Sequence, residues 1–169
     1  MNIRLATVQD MDAILAIYAY ARTQMKNNHN PHQWGDHHPA MALLLNDIQT
    51  RQLYLLCEES AIRGVFAFIL GEDPTYQHIE DGAWLNERPY GTIHRIAAAK
   101  GAHGIFSAAL AYCERQVDNV RIDTHADNHI MQHVIEKAGF QRCGIIFTDD
   151  GTPRIAYQKV INTSLTKRS

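Results

Sequence analysis

The sequence is poor in the features that would commit it to several broad classes. It holds three cysteines in 169 residues, Cys57, Cys113 and Cys143, odd in number and far apart. That excludes a disulfide framework and a CxxC metal site, and suits a reducing compartment where each thiol is an inert apolar side chain. No apolar run approaches the ~18 residues of a membrane span. Met1-Asn2-Ile3-Arg4-Leu5 also lacks the apolar stretch of a secretion signal. The expectation is a soluble cytoplasmic protein with no membrane partner. A dominant sign of charge is missing too. The formal net charge is -2, without the basic footprint of a nucleic-acid binder.

What is present is enough for a packed core. Hydrophobic residues make up 46% and charged residues 20%, so a globular chain is expected rather than disorder. There is no internal repeat, low-complexity tract or evident linker. The reading is a single domain over residues 1–161, followed by a polar tail, 162–169.

Hydrophobic period gives the elements. Ile3–Ala6 reads as a short strand. Thr7 and Asp10 stand at capping-box spacing before Met11, Ile14, Leu15, Tyr18, Ala21 and Met25, which recur at helical period. Asn27–Pro31 ends that helix, 30–39 is a polar loop, and Ala40–Gln49 is a second helix. Gln52–Glu58 and Ile62–Leu70 form a hairpin around Glu59-Ser60-Ala61. Tyr76–Pro89 has no clear pattern. Tyr90–Ala98 is a strand, and Gly101–Gly104 opens a helix with Phe106, Leu110, Cys113 and Val117 on one face. Val120–Thr124 alternates as a strand. Asp127 or Asn128 caps a helix that Gly139 ends. Phe140–Phe147 and Arg154–Val160 form a hairpin through Asp149-Asp150-Gly151. This order predicts an α/β chain, a mixed sheet with helices on both faces.

The unit that suggests chemistry is the strand 90–98, the loop 99–103 and the helix from Gly104. A helix start presents unpaired N–H groups and partial positive charge. Glycines let the backbone approach a ligand closely. Together they form an anion site suited to a pyrophosphate, to which Lys100 adds a full charge. No Gly-Lys-Ser/Thr follows and Gly-x-Gly-x-x-Gly is missing, so neither a Walker loop nor a dinucleotide fingerprint is present.

Ile93-His94-Arg95-Ile96-Ala97-Ala98, Gly101-Ala102-His103-Gly104-Ile105-Phe106, Asp127-Asn128 and Glu136-Lys137-Ala138-Gly139-Phe140, in this order, resemble the core of the GNAT acetyltransferase superfamily. The likeness in element order runs over residues 2–160. It implies a central mixed, mostly antiparallel sheet of about seven strands, acetyl-CoA as cosubstrate, and direct acetyl transfer to an amine in a ternary complex. By this resemblance the backbone of Ile96, Ala97 and Ala98 would pair with the pantetheine, one N–H polarising the thioester carbonyl. Lys100, Gly101, Ala102, His103, Gly104, Ile105 and Phe106 would form the pyrophosphate loop. Asn128 would hold the pantetheine arm, with Lys137 near the cofactor. The strands 90–98 and 120–124 would splay to admit it.

The family loop reads Gln/Arg-x-x-Gly-x-Gly/Ala. Here Gly101 takes the first position, Gly104 matches the central Gly, and Phe106 replaces the last small residue. Ile135 stands where many members carry a tyrosine acid. His94 is the candidate general base, its alternative being a packed strand histidine. Tyr157 is the candidate acid, its alternative a half-buried strand tyrosine. The departures keep open a non-catalytic acyl-CoA-binding module of the same fold.

Other features remain. His29, His32, His37, His38 and Asp36 share a loop but match no recognised metal spacing, so no metal is expected. Trp34 is a candidate for the acceptor site. Tyr76 and Trp84 either wall that site or fill core. Asp123-Thr124-His125-Ala126-Asp127 reads as structural. A hydrolase using His125 and Asp127 lacks a nucleophile-elbow motif. Dimerisation through the C-terminal hairpin or a sheet edge is a further expectation.

Overall fold

The structure, a computed structural model, describes residues 1–161; the expected tail 162–169 lies outside the described residues. The elements are β1 (Asn2–Leu5), α1 (Met11–Asn27), α2 (Met41–Gln49), β2 (Leu53–Glu58), β3 (Ala61–Leu70), β4 (Gly91–Ala98), α3 (Ile105–Glu114), β5 (Asn119–Thr124), α4 (His129–Lys137), β6 (Gln141–Phe147) and β7 (Pro153–Val160). The strands form one seven-stranded sheet in the order β1-β2-β3-β4-β5-β7-β6. β1/β2, β2/β3, β5/β7 and β6/β7 run antiparallel, while β4/β5 is parallel. The mixed, mostly antiparallel sheet expected from the sequence is therefore present.

Contacts divide the chain into two units. The first comprises Met1–Ile69 and Ile93–Leu110. Its core joins Ile14, Ile17 and Tyr18 of α1, Leu44 of α2, Leu53 and Leu55 of β2, Val65 and Ala67 of β3, and Ala97 of β4. Ahead of α1, Asp10 accepts from the Thr7 N–H at 2.8 Å and from Arg4 Nη1 and Nη2 at 2.9 Å each. A shorter carboxylate thus stands where a capping box usually has Glu. On the β2/β3 hairpin Tyr54 stacks on its register partner Phe66 at 5.4 Å.

Among the described residues the second unit comprises Leu70–Thr92 and 111–161. Its frame is the β5-β7-β6 ladder. The unreadable stretch before β4 is ordered by distant partners as well as by bonds of its own. Glu80 and Ile145 exchange two backbone bonds of 2.8 Å. A Cβ on Gly82 would overlap the Cys143 carbonyl oxygen, which explains a glycine there. Arg121 lies between the rings of Trp84 (4.0 Å) and Tyr90 (3.9 Å) and donates to the Asn86 carbonyl. Tyr76 is buried, donates to Asp123 at 2.6 Å and receives the Trp84 indole N–H on its carbonyl. Tyr76 and Trp84 belong to this unit's apolar cluster.

One local reading changes and one open alternative is decided. α3 ends at Glu114, so Val117 lies beyond it, and its buried residues are Ile105, Ala109, Leu110 and Cys113, with Phe106 only half-buried. The cap of α4 is Asn128, whose Oδ1 accepts the Met131 N–H at 3.0 Å.

Candidate functional site

β4 carries the first unusual feature. Its parallel ladder with β5 comprises Gly91↔Val120 and Thr92↔Arg121, at the start of the strand. Four residues on, Arg95 has a φ of 52°. A non-glycine residue costs roughly 1–2 kcal/mol in that left-handed region. Within a strand it turns the following peptide out of the regular alternation, as a bulge does.

Two buried groups hold Arg95 there. The Tyr18 hydroxyl donates to the Arg95 carbonyl at 2.6 Å. Burial pushes the Tyr18 phenol well above its ordinary range, so it stays protonated and able to donate. The Arg95 Nε and Nη2 each donate to Asp47 at 2.9 Å, a bidentate pair. Asp47 also accepts from Gln52 Nε2 at 3.1 Å. Sequence reasoning missed this trio. Its signals were an arginine inside an apolar strand and an aspartate inside an apolar helix.

The loop after β4 is fixed at both ends. The Ala99 N–H donates to the Arg63 carbonyl at 2.9 Å, tying it to β3, and the Ala102 N–H closes a turn onto the Ala99 carbonyl at 3.0 Å. Gly101 and Gly104 have φ of 77° and 73°, where glycine is unstrained. Nothing lies within 4 Å of where a Gly104 side chain would begin. At Gly101 the nearest atom is Arg63 Nη2, 3.9 Å away, a cation the sequence did not single out. Lys100 and His103 are exposed. α3 follows, with its Ala108 N–H bonded to the Gly104 carbonyl at 3.0 Å. Ile105 sits against Gly64 of β3, where a Cβ would come within 2.8 Å of its Cγ2.

Residues Ile96 to Phe106 thus make one continuous strand–loop–helix start. The left-handed glycines, the open space beside Gly104, the helix N–H groups and the neighbouring cations fit the binding of a diphosphate. His94, half-buried, directly precedes the left-handed Arg95.

The second unit holds the remaining candidates. Asn128 caps α4 with its side-chain oxygen. Lys137 is exposed in the last turn, and Ile135 is fully buried. Tyr157 is buried, and its hydroxyl donates to Glu136 Oε1 at 3.3 Å. Burial, then the Glu136 carboxylate, pushes that phenol up to about 12. In the 123–127 segment the His125 Nδ1 accepts the Asp127 N–H at 2.9 Å, which forms a turn rather than a catalytic relay. Among the described residues, no group of three His, Cys, Asp or Glu side chains could hold a metal ion. Near the first unit's histidine loop, Asp36 pairs with Lys26, and Trp34 meets the Tyr18 ring edge-on at 5.6 Å.

A left-handed residue in a central strand, then a glycine loop and a helix start, make a strand–loop–helix unit of an α/β fold whose geometry suits an anion. The acetyltransferase (GNAT) domain model matches residues 1–141, and the chain belongs to that family. A GNAT-family acetyltransferase from Streptococcus agalactiae is 30% identical, with 95% of each chain covered and a TM-score of 0.84. One from Listeria monocytogenes shares the fold at 20% identity, with 95% and 94% covered and a TM-score of 0.70. The structure of yncA from Salmonella typhimurium, described with its cofactor acetyl-CoA, shares the fold at 15% identity, with 95% and 94% covered and a TM-score of 0.61. No curated protein matches the chain. Acetyl-CoA is the cosubstrate of this family. Among the described residues, no helix is long and apolar enough to cross a membrane.

Proposed function

We propose that this chain is an N-acetyltransferase of the GNAT type, moving the acetyl group of acetyl-CoA directly to an amine. The observation that carries the proposal is the left-handed Arg95 followed, within ten residues, by a loop with two left-handed glycines at a helix start. In this reading the N–H groups around Gly101–Gly104 bind the pyrophosphate, with Lys100 adding charge. The main chain of Ile96, Ala97 and Ala98 binds the pantetheine. Asn128 and Lys137 contribute to holding the cosubstrate. Acetyl-CoA supplies an activated acyl thioester.

The residues then have limited tasks. A main-chain N–H after Arg95 steadies negative charge growing on the acyl oxygen. The amine must be neutral to attack, and His94 takes its proton. Tyr157 is the proposed donor to the departing thiolate; a phenol at about 12 is protonated at neutral pH, as a donor must be. Trp34, in the loop after α1, borders the acceptor. The acceptor class is an amine.

Turnover with a panel of amines tests the reading. His94→Gln should lower kcat by roughly 10²–10⁴-fold, the usual reach of a general base, with the KM for acetyl-CoA within about twofold. Trp34→Ala should raise the acceptor KM and leave that for acetyl-CoA in place. Saturable CoA binding without turnover of any amine would support the non-catalytic module instead.

A further inference from the structure

Arg95 is the one residue inside a strand with φ in the left-handed region among the described non-glycine residues. Asparagine, aspartate and glycine are the residues that tolerate this conformation, and arginine has no side-chain device for it. Its persistence requires surroundings that fix both ends of the residue.

The first unit supplies that on two sides. The main chain is held by the Tyr18 hydroxyl on the Arg95 carbonyl, and the side chain by both oxygens of Asp47. The holders come from α1 and α2, so three separate elements converge on one residue. Tyr18 is fully buried and Asp47 is 1% exposed, so neither is a solvent-facing group that met Arg95 by chance. A core that needed only apolar packing would gain little from burying this pair. Desolvation consumes much of what their attraction returns.

We infer that Tyr18 and Asp47 are positioning residues. They hold Arg95 left-handed and so aim the Arg95–Ile96 peptide of β4 at the acyl group. The inference rests on the acetyltransferase reading for its functional half. Its conformational half concerns the protein alone. Neither side chain touches substrate in this scheme; both act through the backbone of Arg95.

Three variants test it, together with a fourth that adds the first to the third. Tyr18→Phe keeps the ring and removes the hydroxyl. Asp47→Asn keeps the shape and removes the charge. The third combines Asp47→Asn with Arg95→Gly, so that glycine adopts the left-handed φ unaided and no buried charge is left unpaired. Residue 95 is read by its backbone chemical shifts in the ligand-free protein, and turnover by kcat and KM. In Tyr18→Phe the shifts should move out of the left-handed range, and kcat should fall about tenfold with the KM for acetyl-CoA unchanged. Asp47→Asn should do the same to a lesser degree. In the glycine background, adding Tyr18→Phe should change kcat less than twofold, because the hydroxyl no longer has a strained residue to hold. A purely structural role would lower the melting temperature equally in both backgrounds and leave kcat per folded molecule alone. Left-handed shifts retained in Tyr18→Phe, or an unchanged kcat in that variant of an active enzyme, overturns the inference. Wild-type protein that binds no acetyl-CoA overturns the acetyltransferase reading and the functional half together, whereas the shifts still decide the conformational half.

Discussion

Asp47 is 1% exposed and pairs with an arginine side chain that is 12% exposed. Removing the carboxylate leaves the Arg95 charge without its partner, and a cut of that kind in a buried pair costs about 3–5 kcal/mol. Asp47→Ala should therefore lower the urea midpoint far more than an exposed substitution such as Asp12→Ala, as equilibrium unfolding would show. The surface pair behaves differently. Arg4 holds the Asp10 carboxyl down to about 2, with the Thr7 N–H and hydroxyl assisting. A group depressed on folding stabilises the fold above its unfolded pKa and loses that contribution as pH falls through the folded one. Wild-type stability should therefore drop between about pH 4 and pH 2, and Asp10→Asn should flatten this part of the profile. The solvent around that pair keeps the effect small. None of these residue-level roles was legible in the pattern of apolar positions except the Thr7–Asp10 spacing. A left-handed arginine has no sequence signature, because the conformation is imposed by Tyr18 and Asp47 from 77 and 48 residues away.

At the scale of elements, the start of α3 depends on a missing side chain across from it. Gly64 leaves the space that Ile105 fills. Gly64→Ala puts a methyl within 2.8 Å of the Ile105 side chain, so that side chain must be displaced, and its strain is passed to the first turn of α3 and the glycine loop. The expected result is a several-fold rise in the KM for acetyl-CoA with kcat nearly kept, measured by steady-state kinetics. α4 offers a comparison within the second unit. Asn128→Ala removes the bond to the Met131 N–H, at a cost of about 1 kcal/mol and a melting temperature lower by ~2–4 °C. Elements with their own period and punctuation were readable: α1 from its capping box and apolar stripe, the β6–β7 hairpin from Asp149-Asp150-Gly151, α4 from Asn128 and Gly139. The stretch before β4 was not. Much of its order comes from Arg121, Asn119, Gln158 and Ile145, partners thirty or more residues away that no local pattern announces.

For the whole molecule, two features of the sheet centre on β4. One parallel pair, β4/β5, sits among antiparallel ladders, and the loop that follows β4 leads into a helix start. The glycine loop was visible in the sequence because only glycine takes those φ values at no cost, and it marks the centre of the proposed chemistry. The supporting parts, Arg63 beside Gly101 and the Tyr18–Arg95–Asp47 trio, were not, since each joins elements distant in the chain. The central claim is that the Gly101–Gly104 loop binds acetyl-CoA, and the direct measurement is thermal unfolding at increasing acetyl-CoA beside Gly104→Val. Wild-type stability should rise by about 1.4 kcal/mol for each tenfold of ligand above the dissociation constant. The valine chain, strained at a φ of 73° with its side chain in the open space, should show that rise only at concentrations at least tenfold higher. A wild-type melting temperature unmoved by millimolar acetyl-CoA, or a valine variant stabilised as readily as wild type, would contradict it.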